Sequence, residues 1–174
     1  MIRRTPTQHA SRNASRRGSV TVEFLIAFPI LIIATLAIFQ YGMIALIQHD
    51  VNAAAIEGAR EAAKLGCSTD DVAKTVDDIL GVYNIELDET AKPAAPNQGD
   101  AHLDIDDGSV GAALTETFGN ASITCVPYGP GPTETQVQVT VCLEIADVLP
   151  DLLATLGFSI ANRTLTASSL ATFE

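Results

Sequence analysis

Hydrophobic and polar positions divide the chain into three regimes. Residues 24–48 form a run of 25 without a charge, rich in Ile, Leu, Ala and Phe. At about 1.5 Å per residue a helix of that length reaches about 37 Å, more than the ~30 Å hydrocarbon core of a bilayer. The run predicts one transmembrane helix. Pro29 lies inside it and removes one backbone donor, a defect that membrane helices tolerate. After the run the uniform apolarity gives way to a stripe. In "IALIQHDVNAAAIEGAREAAKLG", Ile44, Ile47, Val51, Ala54, Ala55, Gly58, Ala62 and Leu65 recur at three-to-four spacing. The helix is therefore expected to continue with one apolar face. Several members are Ala or Gly, so a partner surface can approach closely. Gly66 is the expected C′ residue, with Lys64 at the negative end of the helix.

The third regime is mixed. "STDDVAKTVDDILGVYNI", 68–85, predicts a second helix, capped by Ser68 or Thr69, with Val72, Val76, Ile79 and Leu80 on its apolar face. Residues 89–100 predict a polar linker containing Pro93 and Pro96. Strand signals follow at 101–106, 121–128 and 135–145, the last with Val137, Val139 and Val141 on one face. Residues 149–157 predict a short helix or turn, and 158–174 a long β-prone segment. The expected class is α+β, with a small antiparallel sheet covering the amphipathic half of the long helix.

Charge adds a direction to this scheme. The net charge is -11, but residues 1–17 hold five arginines and no acid. From Gly18 onward five basic residues face all 21 acidic ones, a net of −16. Arginines before the apolar run and acids after it place the N-terminus in the cytoplasm and the body outside. Basic residues are scarce on the body, which argues against nucleic-acid binding. A cleaved secretory signal has an apolar region of about 7–15 residues, shorter than this one. A lipoprotein signal fits poorly too, because "KLGC" at 64–67 lies far from the run.

Candidate chemistry is sparse. Cys67, Cys125 and Cys142 form no metal-binding spacing, and no metal or cofactor is expected. Cys125 and Cys142 fall on adjacent expected strands, where an oxidising compartment permits a bridge. The alternative is two buried thiols, and Cys67 is left free or paired elsewhere. The histidines, His9, His49 and His102, assemble with no nucleophile, so an enzyme is not expected. "DIDDG", 104–108, lacks the spacing of a calcium loop, and Thr115 stands where its twelfth-position glutamate belongs, so a turn is expected. Asn120-Ala-Ser122 and Asn162-Arg-Thr164 match the glycosylation sequon, a frequent pattern.

One acid needs its own account. Glu23 stands at the mouth of the apolar run, five residues after Gly18 and two arginines. An acid in a first helical turn, with Ser19 as cap, meets the positive end of the helix dipole, worth about 0.3–1 kcal/mol. That explains an acid but not its distance from Gly18. Gly18-Ser-Val-Thr-Val-Glu23-Phe24 resembles the prepilin-peptidase site of type IV-type pilins. More narrowly, "RRGSVTVEFLIAFPILIIATLAIFQYG" followed by "AAAIEGAR" resembles the TadE-like pseudopilins of tight-adherence (Flp) pili. The C-terminal Val-Thr strand, Leu-rich turn and Thr/Ser/Ala-rich final strand are similar in tone, whereas residues 67–134 carry no matching motif.

The resemblance implies a pilin-like fold and a structural role in pilus assembly, adhesion or related secretion. It implies a leader at 1–18 cut by a prepilin peptidase between Gly18 and Ser19, a membrane helix at 19–48, a helical continuation at 49–66 and an outer domain at 67–174. Glu23, beside Phe24, then pairs with the new amine of Ser19 and sets the register of assembly. The expected partners are the inner membrane, the peptidase, other pilus subunits and the Tad assembly machinery. A type II secretion pseudopilin is the near neighbour of this reading. Its rivals are an unprocessed single-pass protein whose outer domain binds a ligand or partner, and a membrane-tethered enzyme.

Overall fold

The computed structural model describes residues 12–108, 115–161 and 163–173. It comprises two units, Met1–Phe39 and Gln40–Glu174. The first unit holds the start of helix α1 (Arg12–Ala62), including Pro29. Phe24, Leu25, Ile26, Ile30 and Leu31 all expose more than half of their surface. Water does not tolerate such a stretch, whereas lipid requires it. Helical from Val20 to Ala62, with a mean hydropathy of 2.6 in its most apolar window, α1 is long and apolar enough to cross a membrane. One such helix among the described residues, near the N-terminus, fits a single-pass membrane protein.

The second unit is the α+β body. It contains Gln40–Ala62 of α1, helix α2 (Thr69–Leu80), strands β1 (Ala101–Asp106), β2 (Glu116–Gly119), β3 (Gln136–Glu144) and β4 (Thr164–Thr172), and a short helix α3 (Ile145–Val148). Among the described residues these strands form one antiparallel sheet in the order β2-β1-β3-β4. Leu103 lies opposite Phe118 on one side and Val141 on the other, so apolar positions line up across the sheet. They share a core with Val51, Ala54, Ala55, Ala59 and Ala62 of α1 and with Val72, Val76 and Leu80 of α2. Gly58 marks a close approach of α1 to both layers. A Cβ there would lie 2.9 Å from Val76 Cγ2 and 3.1 Å from Val139 Cγ1.

Gln40 and Ile47 are buried and Met43 and Ile44 pack on the core, so the body takes up the end of the apolar run. The helix stops at Ala62, earlier than expected, and Leu65 is not on the buried stripe but 87% exposed. Gly66 adopts φ +78 within the following turn, beyond the helix end it was expected to cap. Ser68 caps α2, accepting from the Asp71 amide at 3.2 Å while Asp71 accepts from the Ser68 amide. This reciprocal pairing satisfies two orphan donors.

The far face of the sheet is also covered. Successive β3 residues point to opposite sides, and Gln138, Thr140 and Cys142 are buried away from the helices. Their cover is residues 121–128, expected as a strand but found as an irregular strap. Cys125 bridges to Cys142, Gln138 Nε2 donates to the Tyr128 carbonyl (3.2 Å), and the Tyr128 amide donates to Ser168 Oγ (2.9 Å). The strap thus lies over β3 and β4 instead of beside them. The strand that does pair with β1 is β2, at 116–119. The expected long strand at 158–174 begins at Thr164, and Ile145, expected to end a strand, instead opens the short helix Ile145–Val148.

The segment expected as a linker, 89–100, is built into the body. Leu87 bridges to Gly99 and Ala95 to Asn120. Lys92 Nζ donates to Thr69 Oγ1 (3.0 Å), Asp70 Oδ1 (2.9 Å) and Glu116 Oε2 (2.8 Å), and lies 5.3 Å from the Phe118 ring centroid. The hydrogen bond to Glu116, then that to Asp70, raises the Lys92 pKa. Burial pushes the Glu116 carboxyl up, but hydrogen bonds from Lys92 and Thr69 outweigh it and leave it below its ordinary value.

Asp104 on β1 is the opposite case. Burial, reinforced by Asp106, raises its carboxyl pKa against a smaller opposing effect of His102. The folded state then binds its proton more tightly than the unfolded chain does. The associated stability is complete below the unfolded pKa and is lost as pH rises through the raised folded one. Asp104→Asn is expected to raise Tm at neutral pH by about 1–2 °C, a solvent-screened fraction of the ~2–4 °C per kcal/mol for a chain of this size. Thermal melts over pH should show the gain vanishing below about pH 4, near the unfolded carboxyl pKa.

Candidate assembly site at the start of the apolar helix

Gly18 and Ser19 lie within the backbone of α1, and Glu23 stands one turn after Ser19 on the same helix. Phe24 is 60% exposed and its ring centroid is 5.6 Å from that of Phe28, the residue one turn on. Further along, Thr35 Oγ1 donates back to the Leu31 carbonyl (2.8 Å). As far as it is described, α1 already runs from Arg12, so Ser19 and Glu23 both lie inside the helix. This overturns the expectation that Glu23 occupies a first turn capped by Ser19. Dipole stabilisation fades within one turn of a helix end, so it does not act on Glu23 in the uncut chain. A helix beginning at Ser19 returns Glu23 to the edge of the first turn, one turn from a terminal amine.

The other expected residues lie in the body. Cys125 and Cys142 are bridged with Cα atoms 5.6 Å apart, but Cys125 sits on the strap and not on a strand. Cys67 is a free thiol that donates to the Ser68 carbonyl at 3.2 Å. Burial, then the negative charges of Glu61 and Asp71, raises its pKa. His49 is highly exposed and 3.7 Å from Asp50. Asp106 accepts from the Gly108 amide at 3.0 Å and shapes the turn at the end of β1. Among the described residues no cluster of three His, Cys, Asp or Glu is arranged to hold a metal.

Asn120 is a poor glycosylation acceptor despite its sequon. It is buried, its amide donates to the Gly99 carbonyl (3.2 Å), and its Oδ1 accepts from the amides of Asn97 and Ser122. Asn162 lies outside the described residues, as do residues 1–11 of the expected leader. The sequence pattern does not single out Lys92, but it does place Gly58 on the small-residue stripe where a partner surface is expected to approach closely, as it does. Nothing in the local pattern around Lys92 signals its three partners. Gly58, by contrast, sits among alanines on a helical stripe, and that is the available sign of close packing.

No curated protein and no solved structure matches the chain. One family does. Residues 18–60, running from Gly18 through the body-packing face of α1 to Arg60, match the model of the TadE-like protein family, and the likeness covers that quarter of the chain.

Proposed function

We propose that this chain is a structural pseudopilin or minor pilin of tight-adherence (Flp) pili, without enzymatic activity of its own. An inner-membrane prepilin peptidase cuts between Gly18 and Ser19, and the outer body assembles with other pilus subunits and the Tad machinery. The TadE-like match supports a place in Tad pilus systems. The observation that carries the finer reading is the five-residue spacing of Gly18 and Glu23 at the start of that match. In the uncut chain the helix runs through Gly18, so Glu23 lies well inside it and away from a helix end. Cleavage creates an α-amine one turn from the carboxylate. In a low-dielectric setting the two charges hold one another, and an unpaired one is costly. Glu23 thereby becomes a register mark for docking, on its own amine or a neighbour's.

Intact mass and N-terminal sequencing of the membrane-extracted protein test this. In cells with an active prepilin peptidase the chain is expected to begin at Ser19, and Gly18→Leu is expected to abolish processing and pilus assembly together. A wild-type chain still beginning at Met1 in such cells overturns the proposal.

A further inference from the structure

Residues 149–160, "LPDLLATLGFSI", combine two properties. Leu152, Leu156 and Phe158 are 37%, 46% and 68% exposed. The only charge in the stretch, Asp151, is half-buried and tied up within the body: it accepts from Ser159 Oγ (2.7 Å), the Ile160 amide (2.9 Å) and Gln40 Nε2 (3.4 Å). The 3-10 turn Ala154–Leu156, closed by Gly157 at φ +85, therefore carries an apolar, uncharged outer surface on an acidic body.

Exposed leucines are ordinary when scattered. These are set apart by their depth. Gln40 lies 17 residues after Glu23, the last charge before the apolar run. As a helix that distance is at most about 26 Å, short of the ~30 Å hydrocarbon core. Tilt shortens the vertical reach further. With Glu23 at the inner boundary, chain length alone holds Gln40 at or inside the outer one. The hydrogen bond from Gln40 keeps Asp151 and its loop at that level. Tyr83, 45% exposed, lines a hollow with Met43, Leu46 and Val148. Aromatic residues with one apolar and one polar end favour the same interface.

We propose that residues 149–160, with Tyr83, form a membrane seat that rests the body on the outer leaflet of the bilayer crossed by α1. The proposal rests on the reading of α1 as a transmembrane helix. The occupant is lipid. Apolar side chains without charge suit the headgroup–acyl boundary, into which such segments sink by ~5–10 Å.

The chain contains no tryptophan, so a single introduced indole reports unambiguously. The full chain carrying Phe158→Trp, Ile32→Trp or Leu65→Trp is reconstituted in phosphatidylcholine vesicles. The vesicles carry bromine on the acyl chains either near the headgroup or near the bilayer centre. Circular dichroism and the intact disulfide confirm folding. Phe158→Trp is expected to lose about half its emission or more to shallow bromine and less to deep bromine, as a ring within ~5–10 Å of the headgroup boundary requires. Ile32→Trp is expected to show the reverse order, and Leu65→Trp no quenching. If Ile32→Trp is quenched and Phe158→Trp is not, the seat is wrong and the span stands. If neither is quenched, the span is wrong and the seat falls with it. Emission from Phe158→Trp that ignores bromine but shifts with protein-to-lipid ratio identifies a second copy as occupant and overturns the proposal.

Discussion

Replacing Gly58 by leucine is expected to destabilise the body by about 3 kcal/mol or more, the upper end of what overpacking a core costs. The glycine lies where α1 touches α2 and the sheet at once, and even a Cβ would sit 2.9 Å from Val76 and 3.1 Å from Val139. Both neighbours are β-branched, with few rotamers to retreat into. Both are fully buried, and Val72, also buried, is 3.7 Å from the same Cβ, so there is no open space to yield into. Gly58→Ala separates packing from propensity. Alanine gains about 1 kcal/mol of helix propensity over glycine, so it is expected to be near neutral or mildly destabilising. Urea denaturation of the detergent-solubilised chain measures both. A leucine variant as stable as wild type would show that α1 does not approach β3 this closely. The same residue lies in "EGAR", inside the TadE-like match, and the packing gives that position a physical reason to be small.

How far the sequence discloses the body depends on how local each determinant is. Strand β1 has the bounds its alternation predicts, because Ala101, Leu103 and Ile105 face the core while His102, Asp104 and Asp106 do not. The capping box of α2 is equally local. Residues 121–128 mislead because Ile123 is buried and Val126 is exposed, an alternation that a stapled strap produces as well as a strand does. Strand β2 is four residues long, too short to carry a period, and owes its pairing to β1. Lys92 reads as a solvated linker cation, and only folding brings Thr69, Asp70 and Glu116 around it. The candidate site divides in the same way. Gly18 and Glu23 are legible as spacing. That Glu23 lies beyond the reach of the helix dipole in the uncut chain needs the observed helix ahead of Ser19, which α1 covers from Arg12.

Removing the Cys125–Cys142 bridge is expected to cost about 3 kcal/mol. The bridge closes a sequence separation of 17, and loop-closure entropy for a loop of that size is about 3 kcal/mol. For a chain of this length that lowers Tm by roughly 6–12 °C, at ~2–4 °C per kcal/mol. The double variant Cys125→Ala/Cys142→Ala, melted beside wild type with and without reductant, measures it. Reductant should lower the wild-type Tm toward that of the variant and leave the variant unchanged. Equal melting temperatures throughout would mean that the strap is held by its hydrogen bonds alone. Local consequences should be concentrated on the strap face. Amide exchange is expected to rise first at Tyr128, whose amide donates to Ser168, and then along β4, an edge strand paired on one side. The helix-facing core should keep its protection, since Val137, Val139 and Val141 point the other way. Cys67 is the remaining threat to this pairing, because three thiols allow three bridges. Its raised pKa keeps little of it as the attacking thiolate at neutral pH. Cys67→Ser is therefore expected to leave both the bridge and the Tm unchanged. A gain in correctly bridged protein from that variant would show that Cys67 competes for the partners during folding.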